Sequence, residues 1–242
     1  MRLRTFSVRT VKEILRDPLT LFFGLGFPLI LLLLLSAIQA NIPVELFEIE
    51  RLTPGITVFG LSFMTLFSAT LISRDRESAL LQRLYTTPLT AADFILGYTI
   101  PIIPIAVVQC AVCYIAAFAL GMKFTVSVLY AIFFIIPISV FFISLGLLFG
   151  TILNVKQVGG ICGALLTNLS AWLSGVWFDL ELVGGAFKRI AYLLPFVHAV
   201  DLEKAVISGN ADGILSNIPW IIGYSVATLI LSITVFLRKM KQ

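Results

Sequence analysis

The 242-residue chain is 59% hydrophobic and only 12% charged. Soluble domains are typically about 25% charged and roughly 45–50% apolar. Because 17 basic and 13 acidic side chains cannot cover the surface of a globule of this size, the composition excludes a soluble enzyme, a disordered chain, a coiled coil and a disulfide-stapled secreted module. It indicates an all-α integral membrane protein.

Six stretches of the chain contain no Asp, Glu, Lys, Arg or His and reach the length of about 20 residues that a helix needs to cross a bilayer. They are 18–44, 52–73, 94–122, 124–155, 157–178 and 213–237. Six spans put both termini on one side of the membrane, and most Lys and Arg residues fall on that side, which predicts cytoplasmic termini. The sequence therefore predicts one transmembrane domain over residues 1–242.

Residues 1–17 form an amphipathic segment ahead of the first span. Its apolar and basic residues fall mostly on opposite arcs of a helical wheel, and the basic arc contains Arg9, Lys12 and Arg16. A basic helix of this kind lies flat at the cytoplasmic interface, with its arginines toward anionic headgroups. Two roles remain open for it: an anchor that fixes the topology, or a helix that also contacts a cytoplasmic partner.

The segment 74–90, between the second and third spans, predicts a short cytoplasmic helix with one apolar stripe. Its defining residues are Arg74, the acidic Asp75 and Glu77, the stripe Leu80, Leu81, Leu84 and Tyr85, the basic Arg83, and Pro88, which stops the helix. A helix of this length is not stable alone. We therefore expect the stripe to be buried, either against the inner ends of the spans or against a separate protein.

The segment 179–212 predicts a re-entrant helical hairpin on the outer side. Phe187 begins an i, i+3, i+4, i+7 pattern that ends at Leu194, and Pro195 breaks it. A second helical stretch follows and contains His198, the only histidine. Each piece is too short to cross the membrane, and such structure is tolerated where protein or a water-filled cavity surrounds it.

The six apolar stretches contain no ionisable side chain, although ion-driven transporters and membrane-embedded enzymes usually need such groups at depth. We predict no catalytic residue and no metal site, since one histidine beside two acids is a poor ligand set. The phosphate-binding pattern G-x-x-x-x-G-K-[ST] is absent from the sequence. A bundle of this kind is expected to be passive or to be driven by another protein.

These segments resemble the permease subunit of type-2 ABC exporters, over nearly the whole chain. The resemblance rests on the basic helix before the first span, on R-D-R-E-S-A-L-L-Q-R-L-Y-T-T-P-L-T at 74–90, and on F-K-R-I-A-Y-L-L-P-F-V-H-A-V-D-L-E-K-A-V at 187–206. The sequence departs from the common pattern at Leu194, where Asn often precedes the proline, and at His198, where an aromatic residue is frequent.

The resemblance implies two copies of a separate ABC ATPase, which bind ATP and Mg, and a second permease copy or a homologue. This chain is then not an enzyme by itself and holds no cofactor. The segment from Arg74 to Pro88 becomes the coupling helix, on which the ATPase docks, with Glu77 and Arg83 making charged contacts to it. Phe187, Leu194, Pro195 and His198 become the outer gate.

The predicted function is export of a lipophilic or amphiphilic compound, such as a drug, antibiotic, peptide or lipid-like molecule, across the plasma membrane. The alternatives are a polysaccharide or glycolipid exporter and, from a different class, a passive channel or a scaffold. Membrane lipids and the lipophilic substrate are expected partners, and nucleic acid is not.

Overall fold

A computed structural model describes residues 2–43, 47–78 and 90–240, and every regular element in these ranges is a helix. Five helical segments are long and apolar enough to cross a membrane: Pro18–Gln39, Ile49–Glu77, Ala92–Ala119, Ser127–Ile152 and Ala211–Lys239. The prediction of an all-helical membrane protein is confirmed at this level.

Within the described ranges, the amino-terminal half contains six α-helices and one π-helical turn. Helix α1 (Arg2–Leu15) precedes α2 (Pro18–Leu21), the π-helical turn π1 (Phe22–Gly26) and α3 (Phe27–Gln39), which together make the first span. The second span consists of α4 (Ile49–Gly60) and α5 (Ser62–Glu77), and the third is α6 (Ala91–Ala119). Asp17 caps the first span, because its side chain accepts a hydrogen bond from the Thr20 amide.

The carboxyl-terminal half begins with the fourth span, α7 (Ser127–Ile152). It is followed by α8 (Val155–Val158), the π-helical segment π2 (Gly159–Leu166) and α9 (Thr167–Leu173). The hairpin region contains α10 (Leu180–Val183), α11 (Gly185–Leu193) and α12 (Pro195–Ser208), and the last span is α13 (Ala211–Met240).

The predicted span 157–178 differs from the other five. In the structure this stretch consists of α8, π2 and α9, and α9 ends at Leu173. The run is not among the five helical segments that are long and apolar enough to cross a membrane. The helical run ends before residue 178 because the chain turns at Gly175, which has a positive φ of 69°.

The second span is the central helix of the bundle, because nearly all its apolar residues are buried. Helix α7 approaches it closely at Gly146 and Gly150. A Cβ added at Gly146 would lie 1.9 Å from Ser68 Oγ, and one at Gly150 would lie 2.6 Å from the Ala69 carbonyl oxygen. The small residues therefore let two long helices pack backbone against backbone.

Candidate coupling site

Four consecutive charged residues, Arg74, Asp75, Arg76 and Glu77, end the second span and contact different parts of the bundle. We call these four residues the hub. The segment that follows the hub is the predicted coupling stripe, but residues 79–89 lie outside the described ranges. The undescribed residues include the stripe and its neighbours: Leu80, Leu81, Arg83, Leu84, Tyr85 and Pro88.

Asp75 joins the hub to α1 and to the third span. Its Oδ2 lies 2.5 Å from Arg9 Nη1, its Oδ1 lies 2.5 Å from Arg9 Nη2, and Tyr98 donates its hydroxyl proton to Oδ2 at 2.7 Å. The Asp75 side chain is only 3% exposed, whereas Arg9 is 35% exposed. The hydrogen bonds and charge of Asp75 raise the pKa of the Arg9 guanidinium, which makes this two-point contact a charge-assisted one on the arginine side.

Arg74 joins the hub to the start of the first span. Its Nη1 donates to Asp17 Oδ2 at 3.2 Å. Partial burial acts to raise the pKa of Asp17, but hydrogen bonds from Thr20 and from Arg74 outweigh it and lower that pKa overall. The residue that caps the first span is thereby held to the end of the second.

Arg76 and Glu77 join the hub to the turn after the fourth span. Arg76 donates to the carbonyl oxygens of Thr151 and Leu153, which belong to the unpaired carbonyls at a helix end. Glu77 Oε1 accepts a hydrogen bond from the Val155 amide at 2.9 Å, at the start of α8. The hub is therefore bonded to five other elements: α1, the first, third and fourth spans, and α8.

The structure places the predicted hub residues in a different element from the one expected. Arg74, Asp75 and Glu77 continue the second span, because α5 runs without interruption to Glu77. Asp75 faces the bundle and is unavailable for direct contact with another protein, while Arg74 and Glu77 are exposed. The remainder of the short helix expected over 74–90, residues 79–89, lies outside the described ranges.

Helix α1 packs along the third span through Phe6, Thr10 and Ile14, which are buried. Phe6 meets the rings of Phe94 and Tyr98 edge to face at centroid distances of 5.6 and 5.0 Å. The helical wheel placed Arg9 toward lipid headgroups, and this is wrong, since Arg9 turns inward to Asp75. Lys12 and Arg16 are exposed and line a cavity of about 740 Å³ beside the hub.

The predicted gate residues lie at the opposite end of the second span. Leu194 has an extended backbone, as expected before proline, and Pro195 is the first residue of α12. Phe187 packs against Phe178 with ring centroids 6.2 Å apart. In the structure three helices, α10, α11 and α12, occupy the segment between Leu180 and Ser208.

His198 connects three helices at that end. Its Nε2 donates to the Tyr192 carbonyl oxygen at 3.0 Å, and its Nδ1 lies 2.8 Å from Asn217 Oδ1. The imidazole also stacks on Trp220, with centroids 4.5 Å apart and an interplanar angle of 5°. His198 therefore fixes α12 between α11 and α13, and the structure gives it no metal ligand set in the described part of the chain.

Sequence reasoning missed three residues of these sites. Neither Arg76 nor Tyr98 was singled out from the sequence, because their partners are 75 and 23 positions away in the chain. Glu203 was assigned to the outer hairpin, yet α12 inserts its carboxyl into the bundle, where it is fully buried. The six apolar stretches still contain no Asp, Glu, Lys, Arg or His, but the folded bundle buries an acid from outside them.

Comparisons with known proteins agree with this architecture. Residues 1–207 match the ABC-2 type transporter family, and the chain belongs to that family. Similar proteins include Nodulation protein J of Bradyrhizobium diazoefficiens, which is 26% identical over 93% of this chain and 85% of its own length. Another is the Probable multidrug ABC transporter permease YbhR of Escherichia coli strain K12, 23% identical over 71% of this chain and 46% of its own length.

Proposed function

We propose that this chain is the transmembrane subunit of an exporter that moves a lipophilic or amphiphilic compound out across the plasma membrane. A separate ABC ATPase supplies the power by docking on residues 74–90 and on α1. The family and the relatives' printed names support a permease. The cargo and the direction are part of the proposal.

The single observation that carries the proposal is the hub. Each of its four charged side chains contacts a different partner set: Asp17, Arg9 with Tyr98, the Thr151 and Leu153 carbonyls, and the Val155 amide. Because the predicted docking segment follows directly, a force applied there reaches the first, third and fourth spans and α8 through short polar contacts. A passive channel needs no such linkage.

In this proposal the helical run from α8 to α9 completes a sixth crossing, and both termini face the cytoplasm. Two permease copies, or this chain and a homologue, then enclose the pathway with two ATPases. Exposed apolar residues on the run, such as Leu165, Leu169 and Trp172, support its contact with lipid or with a second permease.

A polysaccharide or glycolipid cargo is the second candidate, and a cavity at the hairpin end favours it. The cavity measures about 390 Å³ and is lined by the rings of Trp177, Phe178 and Tyr192 and by Asp201 and Lys204. Burial raises the pKa of Asp201 and lowers that of Lys204, so both charged forms gain from new polar partners. Aromatic faces with flanking hydrogen-bonding groups suit sugar rings.

Docking is tested by co-purification of the chain with its cognate ABC ATPase. We expect Leu81→Asp and Glu77→Gln together to reduce the recovered ATPase by at least about tenfold, equivalent to about 1.4 kcal/mol. Lys123→Gln, on the turn between the third and fourth spans at the hairpin end, is the control and should recover the wild-type amount. Unchanged recovery with the double variant contradicts the docking assignment.

Cargo is tested in vesicles that contain the chain and its ATPase. ATP-dependent movement of an amphiphilic dye supports the first candidate, whereas movement of a glycolipid without the dye supports the second. Movement of either compound without the ATPase contradicts both and favours the passive channel.

A further inference from the structure

Glu203 is an acid inside the bundle that neither the hub nor the gate uses. It lies on α12, two residues after Asp201, and its side chain is 0% exposed. Its Oε1 has no hydrogen-bond partner, and its Oε2 is 3.5 Å from the Tyr114 hydroxyl of the third span. A carboxylate in such surroundings is poorly stabilised.

Within the described ranges no cation neutralises this carboxyl. Lys204 and Arg51 face the cavity at the hairpin end together with Asp201, and His198 is engaged by Tyr192 and Asn217. Among the described residues, the other ionisable side chains on the helices packed against α12 do not act on Glu203: Glu50, Tyr130, Lys188, Arg189, Tyr192, Asp212, Tyr224, Arg238 and Lys239.

Tyr114 is thus the one hydrogen-bond partner of Glu203 in the part of the chain that the structure describes. Cys110 lies one helical turn before Tyr114 on the same face of the third span and is also fully buried. Burial is the dominant cause that raises the pKa of Glu203 well above its ordinary value, and the Tyr114 hydrogen bond opposes it. The neutral acid is the form that this environment favours.

We propose that Glu203 is a proton-binding site of the hairpin. With α12 seated in the bundle, the carboxyl keeps its proton beside Tyr114. When α12 lifts, the O–H bond breaks, the proton passes to water on that side of the membrane, and the carboxylate becomes solvated. The release step rests on the proposed role of the hairpin as a gate.

The sign of the linkage follows from the two environments. An exposed Glu has a pKa of about 4.3, so the seated hairpin, with its higher pKa, binds more protons than the lifted one. Protonation favours the seated hairpin fully below the pKa of the exposed carboxyl, and this preference is lost as pH rises through the pKa of the seated carboxyl. The equilibrium constant for seating falls by up to about tenfold per pH unit. Because the proton returns to the side it came from, this step moves no net charge across the membrane.

Protonation is tested by infrared spectroscopy of the chain in lipid nanodiscs at about pH 7. We expect a carbonyl stretching band of a protonated carboxylic acid, lost in Glu203→Gln and shifted but still present in Tyr114→Phe. Glu50→Gln, an exposed acid at the start of α4, is the control and should keep the band. Absence of the band in the wild type, or its persistence in Glu203→Gln, overturns the proposal.

Release is tested with Cys110 as a reporter, in a chain whose Cys113 and Cys162 are replaced by Ala. A membrane-impermeant thiol reagent is applied on the hairpin side between about pH 5 and about pH 8. The labelling rate of the wild type, divided by that of Glu203→Gln, should increase with pH. A constant ratio overturns the release step, and the infrared result then decides the protonation step separately.

Discussion

The pair formed by Arg9 and Asp75 allows a quantitative test of the hub, because its two members are buried to different extents. Replacing Arg9 by Gln leaves the Asp75 carboxylate 3% exposed with Tyr98 as its remaining partner. Removing one member of a buried ion pair costs about 3–5 kcal/mol. Replacing Asp75 by Asn removes the buried partner of Arg9, but the Arg9 side chain is 35% exposed and lies 2.8 Å from Glu13. Because water and Glu13 still stabilise its charge, we expect the free energy of unfolding to fall by only about 2 kcal/mol.

We therefore expect Arg9→Gln to destabilise the chain more than Asp75→Asn does. The double variant should lose less than the sum of the two, with a coupling of about 2 kcal/mol, because it leaves no unpaired buried charge. The free energy of unfolding is measured in mixed micelles for all four forms. Glu181→Gln, which removes the exposed contact with Lys188, is the control and should leave stability unchanged.

Two results would refute this reasoning. Equal losses for the single variants would mean that Asp75 is as well solvated as Arg9. Strictly additive losses would mean that the two side chains do not interact in the membrane-embedded protein.

Three further predictions concern helix contacts at the hub end. Gly146→Ala should destabilise the bundle by about 1–3 kcal/mol, because the added Cβ meets Ser68 and Thr65. The control Gly159→Ala, which places a Cβ in open space, should leave stability unchanged in the same unfolding assay. Arg76→Gln should leave ATPase co-purification intact but reduce ATP-driven transport several-fold; a proportional loss of both would contradict its role in transmission. Asp17→Asn should flatten the acid side of the profile of stability against pH. The lowered pKa of Asp17 gives the wild type stability that is present above about pH 4 and lost below it. An unchanged profile would show that the contact of Asp17 with Arg74 contributes nothing.

Much of the fold is predictable from the sequence because it depends on local rules. Proline and capping residues set helix starts, and helices begin at Asp17-Pro18, at Thr90-x-x-Asp93 and at Leu194-Pro195. Five of the six apolar stretches form helices long and apolar enough to cross a membrane. The exception contains an eight-residue π-helical segment, which hydropathy alone does not encode.

The sites are less predictable, because they depend on contacts between distant parts of the chain. Charge counting recognised the R-D-R-E run but assigned it to a separate helix, whereas α5 continues through it. The wheel for α1 assumed that basic residues face headgroups, and the partner that turns Arg9 inward is 66 positions away. Glu203 shows the same limit, since no periodicity reveals that a hairpin will insert an acid beside Tyr114.

The central claim is that this bundle takes its power from an ATPase through the hub. The most direct measurement is cargo movement in sealed vesicles that contain the purified chain, with and without the ATPase, in the presence of ATP or of an ion gradient. The account predicts movement only with both the ATPase and ATP present. Movement by the chain alone, driven by an ion gradient, would contradict it.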